Sequence, residues 1–248
     1  MRPIVIIPTY NERQALPITL ASLARDCPGI EVLIVDDNSP DGTGRIAQAH
    51  ADEGPDVHVL HRKRKQGLGP AYLDGFRWAL DRGYSHIVKM DADSSHRSVD
   101  LPRLLEAAKD ADVVIGSRWV YGGGVRNWPI HRILLSRGAT ALTRIALCLP
   151  IRDATAGFRV YRADALEKID LGSVTSQGYC FQIDMAWKAY RNGANIREVP
   201  ILFVERSEGQ SKMSASIVAE ALWRVCAWGI EERLRTIAQW RTKKRRPS

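Results

Sequence analysis

The sequence is poor in the features that mark several large protein classes. Four cysteines stand far apart among 248 residues (Cys27, Cys148, Cys180, Cys226), with no C-x-x-C pair and no histidine spacing suited to zinc. A disulfide scaffold and a zinc module are therefore excluded, and the thiols are expected to be reduced and mostly packed, as in a cytosolic protein. No secretory leader is expected, because Met1 runs straight into a strand-like segment. No uncharged apolar run reaches the ~18–20 residues that cross a bilayer. G-x-G-x-x-G and the Walker G-x-x-x-x-G-K are both missing, and Gly67-Leu68-Gly69 is too short for a dinucleotide loop. Redox cofactors and P-loop hydrolysis are thus poorly supported. Acidic residues are also in deficit, with 28 against 36 Lys+Arg and a net charge of +8. That excess is local. Residues 231–248 carry seven Lys/Arg against two Glu, ending in Lys243-Lys244-Arg245-Arg246. A membrane surface suits such a tail better than nucleic acid, because nothing resembles a recognition helix or an RNA-stacking sheet.

What is present is a β-α alternation. Pro3–Pro8, Glu31–Val35, Val57–Leu60, His86–Met90 and Asp112–Gly116 are short apolar runs separated by helical spacing. The expected fold is α/β, a mostly parallel doubly wound sheet with appended amphipathic C-terminal helices. In such sheets ligands gather at the carboxyl ends of the strands. This draws attention to Thr9–Glu12, Asp36–Asp41, Arg62–Gly69 and Asp91–His96. Asn11 is expected to cap the first helix, Gly122-Gly123-Gly124 to form a mobile loop, Ile196–Val204 one strand, and residues 129–149 and 213–239 helices.

Met90-Asp91-Ala92-Asp93 directly follows a strand, with Asp36 and Asp37 on the neighbouring strand end. Alternate carboxylates there can turn toward one point, and their hard oxygens suit Mg²⁺ or Mn²⁺ completed by water and a substrate diphosphate. The bland alternative is a pair of helix caps facing solvent. Residues 118–144 offer Arg118, Arg126, Arg132, Arg137 and Arg144, while no Asp or Glu occurs from Val113 to Pro150. A hydroxyl acceptor needs a carboxylate base, whereas a phosphate monoester, with a second pKa near ~6, enters already ionised and needs only neutralisation and aim. The base-free stretch points to an anionic acceptor, although Arg126 and Arg144 read rather as a solvated face. Asp153 reads as a turn former, His96 as a cap or a ligand, and Asp184 as a cap or a site carboxylate. Tyr179, Phe181 and the second-half tryptophans serve either core packing or, with arginine, lipid headgroups.

Val5–Glu12, Val35–Thr43 and Met90–Asp93 resemble the signatures of family 2 inverting glycosyltransferases. Gly116-Ser117-Arg118, Ser136–Ala139, Asp153–Arg159, Gly178–Gln182, Glu198–Ile201 and Arg206–Met213 are similar to the polyprenyl-phosphate mannose synthases within that family. The likeness runs in order from residue 4 to about residue 215. It implies a GT-A-type catalytic domain over 1–212 and a membrane-surface element over 213–248. It further implies that Pro8, Tyr10, Glu12 and Asp37 hold base and ribose, with Val35 and Ala92 in the same nucleotide-sugar pocket. Asp91 and Asp93 would carry the Mg²⁺ or Mn²⁺ on the diphosphate of GDP-mannose. Ser95 stands where close relatives have Gln as the next metal or phosphate contact. Arg118, Arg132 and Ser136 match positions receiving the acceptor phosphate, and Arg206 and Lys212 match cations that close over the donor. Asp93, Arg118 and Arg132 are the residues expected to carry catalysis. The implied partners are GDP-mannose, a polyprenyl phosphate and the cytoplasmic face of a membrane, with a membrane-spanning protein as the alternative anchor. UDP-glucose as donor and a saccharide hydroxyl as acceptor remain open.

Overall fold

The computed structural model describes residues 1–176, 178–205, 223–231 and 233. Elements follow in the order β1 (Pro3–Thr9), α1 (Ala15–Asp26), β2 (Glu31–Asp36), α2 (Thr43–Glu53), β3 (Val57–His61), α3 (Leu68–Leu80) and β4 (His86–Lys89). Then come α4 (Leu101–Ala107), β5 (Val113–Ser117), β6 (Gly124–Arg126), α5 (Ile130–Leu147), β7 (Arg159–Arg162), α6 (Ala163–Glu167), α7 (Gly178–Arg191), β8 (Ile196–Pro200) and β9 (Leu202–Val204).

Seven strands form one sheet in the order β3-β2-β1-β4-β7-β5-β8. All neighbours are parallel except β7, which runs antiparallel to both β4 and β5. Ile4, Val5, Ile6 and Ile7 of β1 are wholly buried because helices cover both faces. On one face Ile4 and Ile6 pack with Tyr72 and Phe76 of α3 and Phe181 of α7. On the other, Val5 and Ile7 pack with Leu16 and Leu20 of α1 and Leu101 and Leu104 of α4. The doubly wound expectation holds, and the strand order reverses beside β1.

Several local expectations are corrected. Asn11 does not cap α1, which starts at Ala15; it takes a left-handed turn with φ 60° instead. Gly124 is not loop but the first residue of β6, which pairs parallel with β9. Ile196–Val204 is two strands, because the chain leaves the large sheet at Ile201 and joins this second ribbon. The antiparallel β7 was hidden in the sequence by Arg159, whose buried guanidinium is satisfied by the carbonyls of Ala154, Ala156 and Gln182. Cys148 and Cys226 are exposed rather than packed. The 212/213 boundary and most of 213–239 lie outside the described residues. Residues 223–231 are helical, and Trp228 stacks on Trp187 of α7 at 5.5 Å.

Candidate active site

The carboxyl ends of β1, β2 and β4 open onto a cleft of about 570 Å³. Because β7 is antiparallel, its first residue, Arg159, stands opposite Lys89, the last residue of β4, and delivers Gly157 and Phe158 to the same edge. A Cβ on Gly157 would lie 3.1 Å from the His96 ring and 3.5 Å from Asp91 Oδ2, so a side chain there would press on the ring and touch the carboxylate.

Asp91 and Asp93 both line the cleft. The Tyr72 hydroxyl lies 3.0 Å from Asp91 Oδ1 and 3.2 Å from the Met90 carbonyl, and burial together with the Asp91 charge pushes its pKa well up, so it stays a donor. The Asp91 N–H donates to His96 Nδ1 at 3.1 Å, which fixes the ring proton on Nε2, 4.0 Å from Asp91 Oδ2. Burial lowers the His96 pKa and keeps the ring neutral. His96 stacks on Phe158 and acts as a buried prop of the loop. Ser95 N–H donates to Asp93 Oδ1 at 3.1 Å, while Ser95 Oγ is buried with no hydrogen-bond partner among the described residues. No group of three or more His, Cys, Asp or Glu among those residues could hold a metal. Two carboxylates and an orphaned hydroxyl fit a divalent cation that takes its remaining oxygens from water and a diphosphate. Behind them Lys89 donates to Gln182 Oε1 and sits 4.3 Å from the Tyr72 ring centre; burial and the Arg159 charge push its pKa well down, against the pull of Asp91.

Pro8, Tyr10, Glu12 and Asp37 reach the cleft as expected, and so does Ala92, whose carbonyl accepts from Thr19 Oγ1. Lys65 Nζ lies 3.7 Å from the Tyr10 ring centre and was not singled out in the sequence, although the run Lys63-Arg64-Lys65 marks its loop. The Asp37 carboxylate already accepts from Arg62 and from the N–H groups of Gln66 and Gly67, so it builds the wall of the pocket. Asp36 is likewise absorbed by Thr9 and Ser39 and is not a second metal carboxylate. Val35 is corrected. Its side chain is wholly buried in the core against α3 and does not reach the cleft.

Arg118 and Arg132 line the same cavity. The stretch without acidic residues does not leave them without carboxylates, because distant segments supply two. Arg118 forms a bidentate pair with Asp153 at 2.7 and 2.6 Å, adds a backbone N–H bond to the same carboxylate, and donates to Thr155 Oγ1 at 2.8 Å. Asp153 is therefore an ion-pair partner and not merely a turn former. Arg132 pairs with Glu205 and stacks 4.1 Å from the Trp128 ring centre. Ser136 Oγ lies 3.4 Å from Thr155 Oγ1, one contact behind the cleft wall. Asp184 accepts from Ser176 Oγ and pairs with Lys188, away from the cleft. Arg206 and Lys212 lie outside the described residues.

Residues 4–170 match the sequence family described as Glycosyl transferase family 2. The chain is 54% identical over 235 residues to the polyprenol monophosphomannose synthase of Mycolicibacterium smegmatis, covering 94% of this chain and 89% of that protein. It is 54% identical over 233 residues to the undecaprenyl-phosphate mannosyltransferase of Micrococcus luteus, covering 94% and 96%. Among solved structures, glucosyl-3-phosphoglycerate synthase from Mycobacterium tuberculosis in complex with Mn²⁺, UDP-glucose and phosphoglyceric acid gives a TM-score of 0.64 at 17% identity, over 91% of this chain and 79% of that one. A mannosyltransferase from Pyrobaculum calidifontis in complex with GDP-mannose and Mn²⁺ gives 0.58 at 20% identity, over 85% and 58%. These likenesses show a shared GT-A fold.

Proposed function

This chain belongs to glycosyl transferase family 2, and from that premise we propose that it moves mannose from GDP-mannose to a polyprenyl phosphate with inversion. The observation that carries the reading is a single cleft lined by both the carboxylates Asp91 and Asp93 and the arginines Arg118 and Arg132. A metal-held diphosphate and a second phosphate could then meet within it. The names of the two relatives at 54% identity supply the sugar and the class of acceptor.

Tyr10, with Lys65 over its ring, and the Asp37 wall receive the nucleoside. Asp91, Asp93 and Ser95 would hold Mg²⁺ or Mn²⁺, which when bound neutralises charge growing on the departing diphosphate. Tyr72 and His96 keep Asp91 in place. Arg118 and Arg132 aim the acceptor phosphate, and Ser136 supports them through Thr155. One phosphate oxygen attacks the anomeric carbon opposite the diphosphate. The new C–O bond forms as the bond to the β-phosphate breaks, and GDP leaves with the electron pair. No proton moves, because the acceptor enters ionised. Orientation and electrostatics supply the rate.

A lipid-linked acceptor brings the protein to a membrane surface. No helix among the described residues is long and apolar enough to span one. We infer peripheral attachment on the cytoplasmic face, through α5 and the basic C-terminus. The deciding experiment incubates the full chain with farnesyl phosphate, Mg²⁺ or Mn²⁺, and either GDP-mannose or UDP-glucose. The expected product forms from GDP-mannose, carries a β-anomeric phosphate by NMR and is labile to mild acid. Transfer from UDP-glucose alone, or an acid-stable glycoside, would sink the reading.

A further inference from the structure

The two cleft arginines are held by carboxylates of different character. The Arg118–Asp153 pair is closed to solvent, with both side chains at most 5% exposed, and the Asp153 N–H is itself tied to Glu198 at 2.9 Å. The Arg132–Glu205 pair is open, at 16% and 23%. Arg132 donates to Glu205 through Nη1, and its buried Nε has no hydrogen-bond partner among the described residues. Glu205 follows directly on β9, where its N–H donates to the Arg126 carbonyl at 3.1 Å and that of Val204 donates to the Ser95 carbonyl at 3.2 Å. Its backbone is thereby anchored between the arginine segment and the metal loop, which holds its carboxylate beside Arg132.

We propose that Glu205 is a resident counter-anion of the acceptor site, which yields Arg132 to the incoming phosphate and reclaims it to expel the product. The proposal rests on the phosphate-acceptor reading above. A phosphate monoester brings about two negative charges at neutral pH and outcompetes a carboxylate for one guanidinium. The mannosylated product is a phosphodiester with about one charge, the same as the carboxylate. Glu205 therefore loses to the acceptor and contends evenly with the product. It also spares a partly buried arginine from standing unpaired between turnovers. Glu205 acts through Arg132 and is a positioning residue, not a proton acceptor.

The test is Glu205→Gln in the full chain, with farnesyl phosphate as acceptor and GDP-mannose as donor. Losing one charge-assisted competitor should tighten calorimetric binding of farnesyl phosphate about tenfold and lower its KM to match. The same change should lower kcat several-fold, with a pre-steady-state burst and stronger inhibition by farnesyl-phosphate mannose, because release becomes limiting. Glu205→Asp should restore most of both parameters. In the unaltered protein, farnesyl phosphate should bind at least about tenfold more tightly than its methyl ester. The proposal fails if Glu205→Gln cuts kcat a hundredfold at unchanged KM, which would mark a general base for a hydroxyl. It also fails if farnesyl phosphate binds more weakly to the variant, or if the unaltered protein binds acid and ester alike. The two readings part on the unaltered protein: no binding of farnesyl phosphate and no mannose transfer removes the function, whereas both present with no tightening in the variant removes only the role of Glu205.

Discussion

Asp153 is wholly buried and receives three hydrogen bonds from Arg118, two from the guanidinium and one from the backbone. Replacing it with asparagine keeps its shape and strands one buried positive charge. Breaking such a pair costs about 3–5 kcal/mol. In a chain of this length each kcal/mol lowers Tm by roughly 2–4 °C, so Asp153→Asn should melt some 6–20 °C below the parent. Its KM for farnesyl phosphate should rise as well, since Arg118 would lose its fixed orientation. Calorimetry and acceptor kinetics on one preparation check both. Glu205→Gln, at a pair left 16% and 23% exposed, should lower Tm by less than Asp153→Asn does. An Asp153→Asn protein melting with the parent would mean that Arg118 finds another partner, and that the rigidity assigned to it is wrong.

Helix α3 lies against the sheet closely enough to demand a glycine. A Cβ on Gly75 would sit 2.7 Å from Ile6 Cγ2 and 3.2 Å from Val35 Cγ2. Both neighbours are β-branched residues on interior strands, with stiff side chains that cannot swing aside. Alanine gains about 1 kcal/mol of helix propensity, whereas overpacking costs about 1–3 kcal/mol. Gly75→Ala should therefore be destabilising on balance, read as a lower urea midpoint at unchanged slope. A midpoint at or above the parent's would show that α3 can ride away from β1 and β2. The same close layers explain how much of the fold was legible. Strands buried on both faces are largely apolar, so β1, β2, β4 and β5 announce themselves and place the loops with Asp91 and Asp93 on one edge. β7 does not, because Arg159 carries charge into the sheet's centre and finds its partners only in the folded chain. The acceptor side was half legible for a related reason. Arg118 and Arg132 stand out locally, but their carboxylates come from 35 and 73 residues away. Sequence proximity cannot show such pairings.

Seen as a whole, the molecule wears one helix the wrong way round. On α5 the buried positions include Thr140 and Thr143, while Ile130, Leu134 and Ile145 are 76%, 66% and 69% exposed. Arg137 and Arg144 share that outward face. Residues 223–231 pack alongside, where a Cβ on Gly229 would meet the Ala146 carbonyl at 2.6 Å, and they add exposed Trp223 and Ile230. A water-facing helix would carry the opposite pattern. Apolar and arginine side chains together suit a headgroup boundary. Burying three such aliphatic side chains is worth about 1.5–3 kcal/mol each, against about 1 kcal/mol for each basic residue near anionic lipid. The apolar face, at about 4.5–9 kcal/mol, should therefore match or exceed the five basic residues of 241–248, at about 5 kcal/mol, and it should dominate once salt screens the charges. Ile130→Glu with Leu134→Glu should abolish sedimentation with vesicles of anionic and neutral lipid, yet leave turnover of detergent-dispersed farnesyl phosphate intact. Removing residues 241–248 should weaken sedimentation at low salt and make little difference above 0.5 M, where charges are screened within about 5 Å. If the double glutamate variant still sediments while the truncated one does not, attachment is electrostatic and the inverted face of α5 serves another partner.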